Sequence, residues 1–327
     1  MWLSFVLVFF IGFAAHRASL CTVRAVMQWL EQRRSSLLVS FFYASLWASL
    51  TTGLFVWAGI PITGRPVLSS GWFYSVAGGL LFGMGAAVNG GCSLSTLQRL
   101  ADGEVRMLTT LVFFVLGSFG VVLLQSVAAV PFPRVDSLWW SALSPCTLRA
   151  LVLMLLIWAT WQLTLLWRCA DLQRRPDQWL LAPRYRLSLA ALVLGLCSGL
   201  LFLLEGAWTY TNYLRELGVS WAVGSAAPGW RRFILAVCLF VGMVASSVQG
   251  RKFVWRGARP LGGWRNILGG GLMGMGGALV PGGNDTVLLV LMPSLSLQAL
   301  ASFVSMLLGI FGMVKLMRVI EDGGFVR

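Results

Sequence analysis

The sequence predicts an all-α polytopic membrane protein with about nine transmembrane segments, arranged as two pseudo-symmetric repeats that contain broken, re-entrant helices. Three observations support this fold class. The 327 residues are 58% hydrophobic and 11% charged, whereas soluble domains are about 25% charged, and the mean hydropathy is +0.81. Nine apolar runs follow one another along the chain, and a glycine-rich pattern occurs once in each half.

The apolar runs are the predicted membrane segments. Several are shorter than the roughly 20 residues that a straight span needs, and four of the short ones are followed by helix-compatible pieces at residues 21–30, 93–100, 208–217 and 286–292. The sequence therefore predicts helices that break inside the membrane. The nine runs cover residues 2–15, 37–59, 71–88, 107–130, 148–167, 187–204, 233–248, 267–280 and 297–316.

The domain organisation follows from these runs. Residues 1–130 form a first transmembrane repeat and residues 187–327 a second, with a connecting region at 131–186 that contains one span and a cytoplasmic loop. A single extra crossing between two repeats that each cross an even number of times would invert the second repeat. A parallel duplication is the alternative interpretation.

Basic residues predict the orientation. With the N-terminus outside and nine crossings, seventeen of the 25 Lys and Arg residues fall in inner loops and six in outer loops, and Arg17 and Arg24 flank the first break. Cytoplasmic loops carry the excess of Lys and Arg, so we expect an N-out, C-in protein of the cell inner membrane. The same bias explains the net charge of +14 without a nucleic-acid partner.

The segment at residues 78–100, GGLLFGMGAAVNGGCSLSTLQRL, carries the first-half copy of the glycine pattern. Asn89, Gly90 and Gly91 interrupt the apolar run, and Cys92 follows at once. Unpaired backbone groups are tolerated at this depth only inside protein or along a water-filled path. The earlier glycines also suit close helix packing, but that interpretation does not explain the Asn-Gly-Gly-Cys run.

The second half repeats this pattern. GGGLMGMGGA at residues 269–278 matches GGLLFGMGAA at 78–87, and it too ends in a break, at Pro281-Gly282-Gly283 followed by Asn284 and Asp285. Two broken segments at corresponding positions of two halves point to the binding site of a transporter. A carboxylate beside an anion path is unfavourable, so we expect Asp285 to pair with Arg, to cap the half-helix or to point away.

Two side chains near the breaks are candidates for contact with an anion. Arg17 could attract one or could extend to the membrane interface, since long basic side chains do both. Cys92 begins a half-helix whose positive end favours an anion, and its thiol is a weak hydrogen-bond donor; a packing role is the alternative. One histidine, His16, and the absence of CxxC spacing predict no metal site and no cofactor.

The motif residues identify a family resemblance. Cys21 after an Arg-containing break, then GLLFGMGAAVNGGCSLSTLQRLADGEVR with Arg99, Gly103 and Arg106, and later GGGLMGMGGALVPGGND, resemble the YeeE/YedE family of sulfur-transport membrane proteins. The resemblance covers nearly the whole chain. It implies a permease for thiosulfate or a related inorganic sulfur anion, with Cys21 and Cys92 on the central pathway. Asn284 stands where the family has a third pathway cysteine, and its amide could substitute.

The predicted pathway therefore consists of Arg17, Cys21, Gly90, Gly91, Cys92, Gly282, Gly283, Asn284 and Asp285. The partners expected are a small inorganic sulfur anion and the lipid bilayer. The alternative function is a membrane subunit that relays persulfide or sulfide through Cys92 to a cytoplasmic sulfurtransferase. The sequence shows no paired carboxylates, metal triad or Ser/His arrangement, so an enzyme is not expected.

Overall fold

The computed structural model describes residues 2–60, 67–69, 71–128, 134–136, 140, 143–168, 185–256, 263–294 and 296–322. Within these ranges the chain is largely helical, and the predicted all-α membrane fold class is confirmed. Residues 169–184 of the predicted connecting region lie outside the described residues, as do several of the basic residues counted for orientation.

All nine predicted apolar runs form helices. The elements are α1 (Trp2–Ala18), α2 (Thr22–Gln32), α3 (Ser36–Trp57), β1 (Val67–Ser69), α4 (Trp72–Asn89), α5 (Ser93–Ala101), α6 (Met107–Ala128), β2 (Arg134–Asp136), α7 (Pro145–Arg168), α8 (Leu187–Glu205), α9 (Tyr210–Val223), α10 (Trp230–Gln249), α11 (Trp264–Leu279), α12 (Asn284–Thr286), a π-helix (Val287–Leu291) and α13 (Leu297–Asp322).

Eight helical stretches in the described part of the chain are long and apolar enough to cross a membrane. Three of them join a predicted run to the half-helix that follows: Trp2–Gln32, Trp72–Ala101 and Leu187–Val223. The one remaining run, residues 267–280, forms α11, whose 16 residues are fewer than the roughly 20 of a straight span. The number of crossings and the orientation therefore stay predictions.

The four helix breaks share a backbone feature. Each contains a residue with positive φ: Ser19 (51°), Gly90 (74°), Gly206 (70°) and Gly282 (126°). A right-handed helix cannot continue through such a residue, and glycine adopts the conformation without steric cost. The chain therefore stops and restarts at these four points, as the sequence predicts for the two glycine-rich segments.

The two glycine-rich helices, α4 and α11, pack antiparallel at very short range. A Cβ on Gly276 would lie 2.5 Å from the carbonyl oxygen of Gly78, and a Cβ on Gly85 would lie 2.7 Å from that of Gly269. The glycines that precede the break in both segments thus serve close helix packing, which is the role that their small size suggests. Equivalent helices that run antiparallel support inverted repeats, because an axis along the membrane normal would leave them parallel.

Other helix contacts also occur in equivalent pairs, in which each contact made by a first-half helix has a counterpart made by the corresponding second-half helix. Helix α4 packs against α13 as α11 packs against α6, and α1 packs against α10 as α8 packs against α3. A constant offset of 191 residues relates the α4–α5 segment to the segment that begins with α11. The pairing favours a pseudo-two-fold relationship, whose axis in the membrane plane stays a prediction.

Two local features are additional to the sequence prediction. A short antiparallel ribbon pairs β1 with β2, with Leu68 opposite Val135, and it joins the chain after α3 to the chain after α6. The last predicted half-helix is α-helical only at Asn284–Thr286 and continues as the π-helix Val287–Leu291. Single π-turns are frequent at functional sites, and this one directly follows the second glycine break.

Candidate functional site

The two predicted pathway cysteines both precede half-helices. Cys21 is the N-cap residue of α2 and Cys92 that of α5. Both have extended backbone conformations, and neither side chain caps its helix. Cys92 is completely buried and Cys21 is 8% exposed, so each thiol is held inside the protein next to the N-terminal end of a helix.

The structure brings these two cysteines together. The side chains of Cys21 and Cys92 lie close enough to interact electrostatically, and both cysteines are free thiols. The Cys21 thiol also donates to the Ser95 hydroxyl, with 3.3 Å between sulfur and oxygen. Ser95 in turn donates to the Cys92 carbonyl at 2.9 Å. Residues 71 positions apart in the chain thus form one buried sulfur-containing cluster.

The glycines of the first break make this arrangement sterically feasible. Gly90 has the left-handed conformation that ends α4, and a Cβ there would come no closer than 3.9 Å to its nearest neighbour, a guanidinium nitrogen of Arg99. A Cβ on Gly91 would lie 2.4 Å from the Ser95 hydroxyl. Any side chain at Gly91 would therefore displace Ser95, which contacts both cysteines.

The second break repeats one close contact of the first. A Cβ on Gly282 would lie 2.2 Å from the Thr286 hydroxyl, four residues on, as Gly91 relates to Ser95. A Cβ on Gly283 would lie 2.8 Å from a methyl carbon of Thr211. In the second half the contact equivalent to Cys21–Ser95 joins Thr209 to Thr286, with 2.5 Å between the hydroxyl oxygens. A hydroxyl, that of Thr209, thus takes the place of the Cys21 thiol in the second half, and Gly283 takes the place of Cys92.

Asn284 connects the two halves of the site. Its side-chain oxygen accepts from the Ser93 hydroxyl at 2.9 Å, and its amide nitrogen donates to the Thr22 hydroxyl at 2.8 Å. Ser93 follows Cys92 and Thr22 follows Cys21. Asn284, which is 2% exposed, therefore lies beside the thiol pair and bonds to the first residue of each first-half half-helix.

Asp285 is buried on the hydroxyl side of the site. Its carboxylate accepts hydrogen bonds from the backbone N–H and the hydroxyl of Thr211. Thr211 also accepts from the Gly283 N–H at 2.8 Å and lies 3.0 Å from the Thr286 hydroxyl. Of the three arrangements expected for Asp285, pairing with arginine is not observed among the described residues.

Arg17 makes its described contacts away from the thiols. The side chain is 1% exposed, donates to Gln249, and has its guanidinium carbon 5.1 Å from the centre of the Phe13 ring. Its Nε atom is buried without a hydrogen-bond partner. These contacts place the guanidinium between α1 and the end of α10. They do not support the predicted role of Arg17 on the pathway.

A second polar cluster, which the sequence did not indicate, lies at the end of α1. His16 is bonded through Nδ1 to Ser246 at 2.9 Å and through Nε2 to Asp102 at 3.0 Å, and Ser247 also donates to Asp102. Burial raises the pKa of Asp102, but the hydrogen bonds from His16 and Ser247 and the neighbouring positive charges outweigh it and lower the pKa below its ordinary value.

The remaining motif residues hold the loop after α5. Glu104 accepts from Arg99 at 2.7 Å and from Arg106 at 3.1 Å. Burial raises the pKa of Glu104, and the two guanidinium groups lower it to a net value below the ordinary one. Gly103 has a φ of 96°, and a Cβ there would lie 2.4 Å from the Val254 carbonyl oxygen. These residues organise a loop rather than the thiol cluster.

Sequence reasoning missed the hydroxyl residues of the site: Thr22, Ser93, Ser95, Thr209, Thr211 and Thr286. Their position immediately after a break is the one signal that could have indicated them. The described residues contain no group of three or more His, Cys, Asp or Glu side chains that could hold a metal ion.

Comparison with known proteins identifies the family of the chain. No curated protein matches the chain. A family model described as sulphur transport matches residues 17–312, a range that includes both breaks, both cysteines and all the hydroxyl residues of the site. Because the match covers most of the 327 residues, the chain belongs to the sulphur transport family of YeeE/YedE membrane proteins.

Proposed function

We propose that the protein is an inner-membrane permease that takes up thiosulfate or a related inorganic sulfur anion through a pathway at Cys21, Cys92 and Asn284. Membership of a sulphur transport family and eight helices able to span a membrane support transport of a sulfur compound. The observation that carries the finer proposal is the pair of buried cysteines, each at the N-terminus of a half-helix, that Ser95 joins through hydrogen bonds to the Cys21 thiol and the Cys92 carbonyl.

The chemistry of this cluster suits passage rather than tight retention. A thiol is a polarisable, weak hydrogen-bond donor, and the N-terminal ends of half-helices supply partial positive charge without a fixed cation. Conduction needs binding that is strong enough to admit the ion and weak enough to release it. Asn284 adds an amide donor on the opposite side of the cluster. Residues 1–130 and 187–327 would then each contribute one face of the pathway.

The test is uptake of labelled thiosulfate, sulfite and sulfate by proteoliposomes that contain purified variants. Cys92→Ala should abolish most thiosulfate uptake, and Cys92→Ser should reduce it, because the hydroxyl keeps a donor but is smaller and less polarisable. Cys238→Ala is the matched control, since this partly buried cysteine of α10 lies outside the cluster. Each variant should elute as a single peak on size exclusion.

Two outcomes would overturn the proposal. Wild-type protein that moves none of these anions would show that the substrate class is wrong. A Cys92→Ala variant that folds and transports thiosulfate at the wild-type rate would show that the thiol only fills space.

The proximity of the two thiols also favours a second candidate function. In it, the Cys92 sulfur attacks the sulfane sulfur of thiosulfate, the S–S bond of thiosulfate breaks and sulfite leaves, and the persulfide on Cys92 then passes its outer sulfur to a cytoplasmic sulfurtransferase. The permease hypothesis predicts that Cys92 is unmodified after turnover. The relay hypothesis predicts that the peptide containing Cys92 gains the mass of one sulfur atom. Intact-protein and peptide mass spectrometry after incubation with thiosulfate distinguishes the two.

A further inference from the structure

A buried carboxylate lies next to the proposed anion pathway without a cationic partner in the described part of the chain. Asp285 is 6% exposed and follows Asn284, whose side chain bonds to Ser93 and Thr22 beside the thiols. An ionised carboxylate at this depth is costly unless it is paired or neutralised. Its presence beside a pathway for anions therefore needs an explanation.

The surroundings of Asp285 are neutral hydroxyl and amide groups. Thr211 donates through its hydroxyl and its N–H, and the Thr286 hydroxyl links Thr211 to Thr209 at 3.0 and 2.5 Å. These groups stabilise either protonation state, because a hydroxyl can rotate to donate or to accept. They supply no net positive charge.

None of the titratable groups described on the surrounding helices gives Asp285 a cationic partner. Tyr210 on α9 interacts electrostatically with Asp285, and its buried hydroxyl has no hydrogen-bond partner among the described residues. The thiols of Cys21 and Cys92 lie across Asn284. The remaining charged groups on α5, α8, α9 and α13 contact partners elsewhere: Arg99 with Glu104, Glu205 with Arg231, Glu216 with Arg232, Arg215 with Asn212, Lys315 with Phe311, Arg318 with Glu31, and Glu321 with Arg265.

The hydroxyl network favours a proton over a metal cation as the neutralising ion. Thr211 already accepts the Gly283 N–H at 2.8 Å, and Thr209 accepts the Asn212 N–H at 3.3 Å. A metal ion would have to displace these backbone donors to gain oxygen ligands. A proton needs only one carboxylate oxygen, and the hydroxyl next to it can rotate to accept.

We propose that Asp285 is a proton-binding site whose proton crosses the membrane together with the sulfur anion; this rests on the proposed permease function. The proton comes from the solution on the entry side, forms one O–H bond on the carboxylate and leaves to the exit side, and no other bond or electron moves. Protonated Asp285 removes the repulsion of an anion at the thiols. By reciprocity the bound anion raises the affinity of Asp285 for its proton.

The experiment measures initial rates of thiosulfate uptake into proteoliposomes with and without an inward proton gradient, with the membrane potential clamped by potassium and valinomycin. Wild-type uptake should rise at least about fivefold with the gradient, the lower end of typical coupling between sites, and should be equal in sodium and choline media. Asp285→Asn, which resembles the protonated state, should lose the acceleration by the proton gradient.

Glu205→Gln is the matched control. Glu205 is the other carboxylate in an apolar run, but it is paired with Arg231 at 2.6 Å, so its variant should keep the acceleration by protons. If Asp285→Asn fails to fold, a pH-sensitive dye inside vesicles of the wild-type protein gives a second readout: thiosulfate addition should acidify the lumen.

The outcomes separate the two proposals. Wild-type uptake that ignores the proton gradient, or an Asp285→Asn variant that retains the acceleration, would overturn the proton site while leaving the permease intact. Acceleration by a sodium gradient alone would assign the site to sodium and would also overturn it. Wild-type protein that moves no sulfur anion would overturn the permease function, and the proton site with it.

Discussion

Replacing Asn284 by Leu tests whether the two halves of the site are held together by this one amide. The substitution removes the acceptor for Ser93 and the donor to Thr22, whose bonds are 2.9 and 2.8 Å long. Both hydroxyl residues are at most 2% exposed, so water cannot replace the amide. A buried polar group left without its partner costs about 1–3 kcal/mol. We therefore expect a loss of roughly 2–6 kcal/mol of stability for the two groups together.

The assay is thermal and denaturant-induced unfolding in detergent, with thiosulfate uptake measured in parallel. Asn284→Leu should unfold more easily and lose transport, whereas Asn284→Cys should keep transport if residue 284 acts as the third pathway cysteine of the family does. The control is Asn284→Leu combined with Ser93→Ala and Thr22→Val. Removing all the polar partners should recover at least half of the lost stability, because no buried group then lacks a partner.

Three results would refute parts of this reasoning. An Asn284→Leu protein as stable as the wild type would show that Ser93 and Thr22 find other partners. A triple variant no more stable than the single one would assign the loss to side-chain shape instead of hydrogen bonding. Normal transport by the Leu variant would show that the second break does not contact the substrate.

Three further predictions follow from the topology and the loop electrostatics. A C-terminal reporter that is active only on the outer side of the membrane should stay silent when it is fused after Arg327. Reporter activity would mean that the crossing count is wrong. An experimental structure in a lipid bilayer should superpose residues 78–100 on 269–292 by a two-fold axis in the membrane plane, and an axis along the membrane normal would contradict inverted repeats. Because the pKa of Asp102 is lowered in the folded protein from its ordinary value of 3.8, its stabilising effect is complete above that value and is lost as the pH falls through the folded value. The thermal unfolding temperature should therefore fall more steeply with decreasing pH for the wild type than for Asp102→Asn. If the two proteins show parallel curves of unfolding temperature against pH, Asp102 does not make this contribution.

The breaks and the cysteines were predictable because the chemistry that marks them is local. Gly90 and Gly91 interrupt an otherwise apolar run, and a positive φ at Gly90 is the conformation that glycine supplies. The packing glycines were equally visible, since small residues at helical spacing permit close helix contact. Sequence alone therefore sufficed for the fold class and for the place where the half-helices begin.

The hydroxyl residues of the site could not be predicted in the same way. Many Ser and Thr residues in these helices bond to a carbonyl of their own helix, as Ser49 does to Ser45 and Thr51 to Trp47. Only tertiary contacts distinguish Thr211, which bonds to Asp285 across 74 positions. The direction of Arg17 was undetermined for the same reason, because a long side chain has several partners within reach and packing selects one.

If the two halves are repeats, as we predict, their chemistry differs at equivalent positions. An offset of 191 residues relates Ser95 to Thr286, and the contact that Cys21 makes with Ser95 is made by Thr209 with Thr286. By the same offset, Asp285 occupies the position equivalent to Leu94. The first-half half-helix therefore follows a cysteine and carries Leu94, whereas its counterpart follows a glycine and carries a carboxylate that bonds to Thr211. A weak donor suits an anion that must leave again, and a carboxyl group in a neutral hydroxyl shell suits a proton. If each half handles one of these ions, Asn284, which bonds to Ser93 and Thr22 and precedes Asp285, is the side chain through which occupancy of one site would affect the other.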